Sequence, residues 1–229
     1  MFRYRPVALA ILGAALFRPG MADATTILVP NFDFTQPGQS GGSYSVDDIT
    51  DWAGVGTQYG VQDSLVGEYP GGVPVGNNFA YANNAYIYLN SSTDAAFAQT
   101  IQAGTYVLSV EIGNRLDYAF SGSAYIGIWA NLAPADDYVF QSAPAPGSWV
   151  NVTLTDIVSA SDPNIGQPLT ILLGDQGYAG GSQQVDFNDV TLTFTPPGGD
   201  PVAVPEPLTF SLFGAGLAGV ATLRRRRKA

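Results

Sequence analysis

The segment VDFNDVTLTF, residues 185–194, alternates large apolar side chains with small or polar ones near the end of the chain. Such a period of two predicts a β-strand with one buried face. Two residues are predicted to face outward, Thr191 and Thr193. Three are predicted to face a core, namely Val190, Leu192 and Phe194. This closing strand sets the expectation for the rest of the chain, which repeats the same kind of pattern.

Seven further runs of β-branched and aromatic residues, bounded by Gly, Pro, Asn and Asp, also predict strands. They are residues 26–29, 85–89, 96–100, 104–112, 124–130, 149–156 and 169–174. No amphipathic helix of about 12 residues, the length expected of an ordinary helix, stands out. The pattern predicts an all-β protein, a two-sheet sandwich of the jelly-roll type. Residues 36–84 are expected to form irregular loops, either functional or flexible.

The first 24 residues resemble a secretory signal peptide. Arg3 and Arg5 precede an apolar run over residues 7–17, and Ala22-Asp23-Ala24 has the small-residue form of a cleavage site. The predicted domain therefore covers residues 25–195, behind an N-terminal signal helix. A Pro- and Gly-rich linker follows at residues 196–203.

The last segment, residues 204–229, joins a turn, an apolar run and a basic cluster. This order predicts a short hydrophobic helix with its basic end in the cytoplasm. The segment resembles the PEP-CTERM sorting signal of exopolysaccharide-producing Gram-negative bacteria. That resemblance implies a sorting protease of the inner membrane, transient anchoring there, and delivery to the cell surface or matrix. The alternative is an ordinary short membrane anchor. The sorting residues are Pro205, Glu206, Pro207, Arg224, Arg225 and Arg226.

Composition excludes several classes of function. The chain has no Cys and no His, so it has no disulfides, no thiol nucleophile and no Ser-His-Asp triad, and a transition metal is not expected. Residues 25–203 contain one basic residue, Arg115, and 17 acidic residues, a net charge of −16. Nucleic acid is therefore excluded as a partner. The acidity favours Ca²⁺ binding, solubility outside the cell or adaptation to salt.

Three residues are candidate calcium ligands: Asp33, Asn188 and Asp189. The first and last strands of such sandwiches often lie side by side, which would bring these oxygen-bearing side chains together. Ca²⁺ prefers carboxylate and carbonyl oxygens, the ligands that a chain without Cys and His can offer. The alternative is that they are solvated acids at strand ends.

Three aromatic residues are candidates for ligand binding: Trp52, Tyr59 and Tyr81. Aromatic rings at a surface stack on the apolar faces of sugars, and a polysaccharide would be the ligand. Packing in the core is the alternative role for each of them.

Several segments together resemble one family, the calcium-binding, carbohydrate-binding-module-like sandwich that includes the hapalindole-type (Stig) cyclases. They are residues 31–33 (NFD), 86–89 (YIYL), 97–100 (FAQT), 104–114 (GTYVLSVEIGN) and 185–193 (VDFNDVTLT). In those cyclases an aspartate of the closing strand starts a Cope rearrangement and cyclisation of a prenylated indole, and Asp186 matches it. The motif's next aspartate, taken as metal-associated, is Asn188 here.

Counting by twos along the closing strand predicts that Asp186 shares the inward face of Val190 and Leu192. A carboxyl group in an apolar pocket has a raised pKa and can donate a proton. The main hypothesis is nevertheless an exported surface or matrix protein without catalysis, calcium-stabilised, with polysaccharide as its ligand. The alternative is a secreted hapalindole-type cyclase or isomerase with Asp186 as proton donor. A glycoside hydrolase using two carboxylates is a third hypothesis, which no motif supports.

Overall fold

The structure is a computed structural model, and it describes residues 23–118, 120, 122–131, 138–175 and 184–198. Asp23–Pro197 forms one compact unit. The predicted signal helix and the predicted C-terminal hydrophobic helix lie outside the described residues. Within those residues, no helix has the length and apolar character needed to span a bilayer.

Nine strands make up the described part, and every regular element in it is a strand. They are β1 (Thr25–Ile27), β2 (Ala53–Asp63), β3 (Asn78–Asn90), β4 (Gly104–Asn114), β5 (Ser123–Ala130), β6 (Tyr138–Ser142), β7 (Ser148–Val158), β8 (Leu169–Asp175) and β9 (Gln184–Thr195). The prediction of an all-β sandwich is confirmed.

Strand β3 joins the two layers of the sandwich. The strand order is β6-β5-β8-β3-β9-β4-β7, with β2 beside β3 and β1 beside β9, and the pairings are antiparallel. Residues 80–83 of β3 pair with β9, whereas residues 86–90 pair with β8. Between them Asn84 has a φ of 46°, a left-handed conformation that Asn tolerates better than most residues. The strand therefore passes from one layer to the other at this residue.

Strand β4 shows how the core is built. Its alternate residues Tyr106, Leu108, Val110 and Ile112 are each at most 1% exposed, as their spacing predicts. Fully burying an aliphatic side chain of this size contributes about 1.5–3 kcal/mol. The core lies between the two layers and is lined by such residues from both.

The predictions from the sequence were wrong in three regions. Residues 36–84, predicted to be irregular, contain all of β2 and half of β3, and β6 was not predicted. Residues 96–100 were predicted as a strand but form a turn and loop, with Thr100 making an isolated bridge to Pro168. Phe97 fills the core from that loop, being fully buried. Strand β2 escaped detection because it combines three glycines and polar residues with few large apolar ones.

A β-bulge in β9 changes which residues face the core. Ser109 of β4 pairs with Thr191, but Glu111 pairs with Asn188. Two residues of β9 therefore lie opposite one residue of β4, and the first of them, Asp189, has a φ of 46°. The extra residue reverses the alternation of side chains.

The bulge makes the prediction that Asp186 shares a face with Val190 and Leu192 wrong. Leu192 lies opposite Leu108 and Phe187 lies opposite Ile112, so it is Phe187 that continues the core face. Asp186 lies on the opposite face of the strand, turned away from this core.

Candidate active site

The polar face is the side of β2, β3, β4, β7 and β9 turned away from the core. Its defining residues are Gln62, Tyr81, Asn83, Gln184, Asp186 and Asn188. The register places them together, because Tyr81 lies opposite Asp186 and Asn83 lies opposite Gln184. These polar residues come from strands whose other face is apolar, so the alternation that builds the core also gathers a polar set behind it.

A pocket of about 400 Å³ opens on the polar face, within the range of small-molecule sites. Four amide side chains line it: Gln58, Gln62, Asn83 and Gln184. Three tyrosines, Tyr44, Tyr81 and Tyr118, contribute as well, and the rings of the first two meet edge to face with their centroids 6.3 Å apart. Much of the lining comes from residues 42–83, a region predicted to form irregular loops.

Three charged residues form one wall of the pocket, Glu68, Arg115 and Asp117. The Arg115 guanidinium lies 2.6 Å from Glu68 Oε1 and 2.7 Å from Asp117 Oδ2. It also donates to Gln62 Oε1 at 2.8 Å. Burial alone would lower the pKa of Arg115, but the hydrogen bond to Asp117 and the charges of Asp186 and Glu68 outweigh it and raise that pKa. Arg115 therefore stays charged.

Glu68 is only 2% exposed. It accepts hydrogen bonds from Gln62 Nε2 at 2.8 Å and from the Leu65 N–H at 2.9 Å. Burial raises the pKa of Glu68, against the opposing effects of the Leu65 hydrogen bond and the Arg115 charge. Sequence reasoning missed both Glu68 and the role of Arg115. One observation in the sequence could have indicated them: Arg115 is the one basic residue of residues 25–203, and a single cation among 17 acidic residues is expected to pair with some of them.

Asp186 is fully buried and both of its carboxylate oxygens accept hydrogen bonds. Tyr69 donates its hydroxyl to Oδ2 at 2.5 Å, and Gln184 Nε2 donates to Oδ1 at 2.9 Å. Burial raises the pKa of Asp186 to about 7, although these two hydrogen bonds and the Arg115 charge act in the opposite direction. A carboxyl group with this pKa can both give and take a proton near neutral pH.

Tyr69 is held in place by aromatic neighbours. Its ring centroid lies 4.5 Å from that of Trp149 and 5.6 Å from that of Phe79. Burial and the neighbouring Asp186 charge raise the pKa of Tyr69, so the hydroxyl keeps its proton and remains a donor. Gly113 lies opposite Asp186, where a Cβ atom would stand 2.5 Å from the Tyr69 hydroxyl oxygen. Glycine at this position leaves room for Tyr69 to reach Asp186.

A sequence model of the HpiC1-like family, described as HpiC1 cyclase, matches residues 24–193. The chain belongs to this family. No curated protein sequence matches significantly.

The fold is similar to that of a solved Stig cyclase, Fisc, from Fischerella sp. TAU in complex with (3Z)-3-(1-methyl-2-pyrrolidinylidene)-3H-indole. The two sequences are 21% identical and the TM-score is 0.64. The match covers 76% of this chain and 99% of the Fisc chain. A second similar structure is a cyclase from Fischerella sp. TAU in complex with 4-(1H-indol-3-yl)butan-2-one. Its sequence is 20% identical, its TM-score is 0.62, and the match covers 75% of this chain and 98% of the cyclase chain. At this identity the two structures show a shared fold.

Membership of the HpiC1-like family corrects the main functional hypothesis. A non-catalytic, polysaccharide-binding structural protein is contradicted by the match to a cyclase family over residues 24–193. This match supports the alternative drawn from the sequence, a cyclase or isomerase.

The three aromatic candidates lie in different places in this HpiC1-like sandwich. Tyr81 lines the pocket and donates its hydroxyl to the Ser45 carbonyl at 2.6 Å. Tyr59 lies opposite Ala82 and packs against the core. Trp52 is 5% exposed and donates Nε1 to the Pro30 carbonyl at 3.1 Å, so it is a core residue and cannot stack on a ligand at the surface.

The three candidate calcium ligands do come from neighbouring segments, but they do not fit a calcium ion. Asn188 Nδ2 donates to the Asp33 carbonyl at 3.2 Å, so the two predicted regions are in contact. The Asp33 carboxylate itself accepts from Thr35, and Asp189 occupies the bulge. The described residues include no group of three or more acidic side chains placed to hold a metal. A cation needs oxygens free to bind it, whereas here an amide N–H group faces the carbonyl.

Proposed function

We propose that the protein is a cyclase or isomerase in which Asp186 supplies the proton that starts the reaction. The observation that carries this proposal is a fully buried carboxyl group with a pKa of about 7, directly behind the wall of a pocket of about 400 Å³. A carboxylic acid kept protonated near neutral pH by burial is a general acid suited to an unactivated substrate. Family membership supports the same reaction class.

Gln184 controls the path between Asp186 and the pocket. Its amide lines the pocket and also donates to Asp186 Oδ1 at 2.9 Å. Rotation of this side chain brings the Asp186 carboxyl into contact with a bound substrate. Tyr69 stays on the other oxygen throughout and stabilises the carboxylate that remains after proton transfer.

The proposed reaction needs only the substrate and the Asp186 carboxyl group, which gives one proton and later takes one back. The Asp186 O–H bond breaks, the proton forms a new C–H bond at a substrate alkene, and the π electrons of that alkene supply the bond. The resulting cation closes a ring or rearranges, and loss of a proton to the Asp186 carboxylate restores the acid. Product and substrate are then isomers. The rings of Tyr81 and Tyr44 line the pocket and offer their π faces to the cationic intermediate.

An indole that carries an alkene is the substrate class that we propose. The two Fischerella sp. cyclase structures hold indole compounds. In this chain Asn83 lines the pocket, and its side-chain oxygen is buried without a hydrogen-bond donor from the part of the chain that the structure describes. Once the Asn83 side chain turns toward the pocket, that oxygen can accept a hydrogen bond from an indole N–H group.

The test is incubation of the purified protein with a prenylated indole isonitrile, followed by chromatography for a product of unchanged mass. Asp186→Asn keeps the size of the side chain but removes the acid, and we expect turnover to fall by roughly 100-fold or more. Asp175→Asn is the matched control, since Asp175 is a buried acid with a raised pKa on β8 that does not line this pocket. Undiminished turnover by Asp186→Asn, or no turnover by the wild type, would contradict the proposal.

Export and sorting are a separate part of the proposal. The sequence supports a signal peptide ending near residue 24 and a PEP-CTERM-type tail from residue 204, with an inner-membrane sorting protease as partner and the cell surface or matrix as destination. Intact mass spectrometry of the protein recovered from producing cells tests it. The expected species begins near residue 25 and lacks the basic cluster. A species that retains both ends would refute it.

A further inference from the structure

We propose that the Asn188 amide takes the place of a calcium ion in this sandwich, so that the fold is independent of calcium and an acidic residue at position 188 would create a calcium site. The proposal is independent of the proposed catalytic activity. It rests on the contacts of one buried side chain on the polar face, two residues along β9 from Asp186.

Three backbone carbonyl groups converge on the Asn188 side chain. Nδ2 lies 3.2 Å from the Asp33 oxygen, 3.3 Å from the Val75 oxygen and 2.8 Å from the Asn78 oxygen. On the opposite side, Oδ1 accepts from the Val75 N–H at 3.1 Å. That donor fixes the amide orientation, because a reversed amide would place its N–H group against another N–H group and its oxygen against three oxygens.

The convergence of carbonyl oxygens is the arrangement that a hard cation requires. Ca²⁺ is bound by backbone carbonyls together with carboxylates at about 2.3–2.6 Å. Here the group at the centre is a neutral amide with two hydrogens shared among three acceptors. Asn188 is neutral, Oδ1 of the Asp33 carboxylate accepts from Thr35, and the described residues include no group of three or more acidic side chains placed to compensate a divalent charge.

The amide also links separate segments of the chain, as a bound cation would. It connects β9 to the turn after β1, through Asp33, and to the segment that leads into β3, through Val75 and Asn78. Asn188 is fully buried, so these bonds are made away from water, where an unpaired carbonyl is costly. The three segments are thereby held together at the end of the polar face next to Asp186.

The Asn188→Asp substitution tests the proposal, because it replaces only the side-chain NH₂ group by an oxygen. In Asn188→Asp, an anionic oxygen would face the three carbonyl oxygens and repel them. A cation between the carboxylate and the carbonyls would reverse that repulsion. The variant is therefore expected to be less stable than the wild type without metal and to recover when calcium is added.

The experiment is thermal unfolding of the full chain, followed by circular dichroism, in EDTA and in millimolar CaCl₂. For the wild type we expect the same midpoint in both solutions. For Asn188→Asp we expect calcium to raise the midpoint by roughly 5 °C or more, as for a ligand present at about 100 times its dissociation constant. Calorimetric titration of that variant with CaCl₂ should show one site per chain.

Asn90→Asp is the matched control. Asn90 is also buried, at 1% exposure, but its amide donates to the Thr170 hydroxyl rather than to converging carbonyls. Calcium should leave the midpoint of this variant unchanged. The proposal is overturned if EDTA lowers the wild-type midpoint, or if Asn188→Asp responds to calcium no more than Asn90→Asp does. An Asn188→Asp chain that stays unfolded in calcium also overturns it.

Discussion

The two faces of strand β9 are equally buried but differ in what surrounds them. Val185 and Phe187 point into the core, while Gln184, Asp186 and Asn188 alternate with them on the polar face, and all five are at most 7% exposed. The degree of burial therefore does not distinguish the core face of β9 from its polar face. The difference lies in the partners, since the core face meets apolar side chains and the polar face meets hydrogen-bonding groups from loops and neighbouring strands.

One strand can therefore have two buried faces that are stabilised in different ways. The core face stabilises the fold through apolar burial, which tolerates similar shapes. The polar face depends on each donor finding its acceptor, because a buried polar group that loses its partner costs about 1–3 kcal/mol. Asp186 sits in the second environment, where burial shifts the pKa of the carboxyl group and hydrogen bonds position it.

The largest expected effect on stability is on the core face. Phe187→Ala removes a fully buried ring and should lower the free energy of unfolding by about 3–5 kcal/mol. Urea denaturation at neutral pH measures this value. Asp186→Asn, one residue away on the polar face, is the control and should lose far less. Equal losses in the two variants would show that the faces do not differ as described.

A smaller loss is expected on the polar face when one partner of an ion pair is removed. Arg115→Met leaves the Glu68 carboxylate without its cation and should cost roughly 2–3 kcal/mol, below the usual range for buried pairs because the Arg115 side chain is 11% exposed. Adding Glu68→Gln should restore part of that stability, since the buried carboxylate of the pair is then gone and the remaining partner, Asp117, is half exposed to water. Urea denaturation of both variants provides the comparison, and a double variant no more stable than Arg115→Met would contradict it.

The smallest expected effect is the change in stability between about pH 5 and about pH 6.5, roughly 2 kcal/mol. Burial raises the pKa of Asp186 from 3.8 to about 7, so between these values the folded protein keeps a proton that the unfolded chain has lost. Stability from this group is therefore greatest below about pH 4, falls by ~1.4 kcal/mol per pH unit as the pH rises toward 7, and is constant above it.

The measurement is the difference in unfolding free energy between wild type and Asp186→Asn at about pH 5 and about pH 6.5. Burial also raises the pKa of Glu68 and Asp175, and comparison with the variant removes most of that shared background. The wild type should lose stability relative to the variant as the pH rises. A difference that does not change with pH would mean that Asp186 titrates as it does in the unfolded chain.

Sequence patterns predicted strands well wherever one face is apolar and the alternation is unbroken. Strand β4 is the clearest case, with its four inward residues identified correctly. Strand β2 was missed because its outward residues build the pocket and its inward residues include glycines. The glutamines that line the pocket, Gln58 and Gln62, carry no sequence signal of their own, because a polar residue in a strand ordinarily faces water.

The amino-acid pattern alone was enough to predict the all-β class and most of the strands of the sandwich, and it singled out Asp186 as a candidate site residue. These follow from local periodicity and from a short motif. Only the tertiary structure decided which face Asp186 occupies, since the bulge at Asp189 is visible only through pairing with β4. It also decided that Asn188 meets three carbonyls and that Arg115 lies in the pocket. Hydrogen-bond partners more than 100 residues away along the chain set the chemistry of a buried polar group, and no local pattern records them.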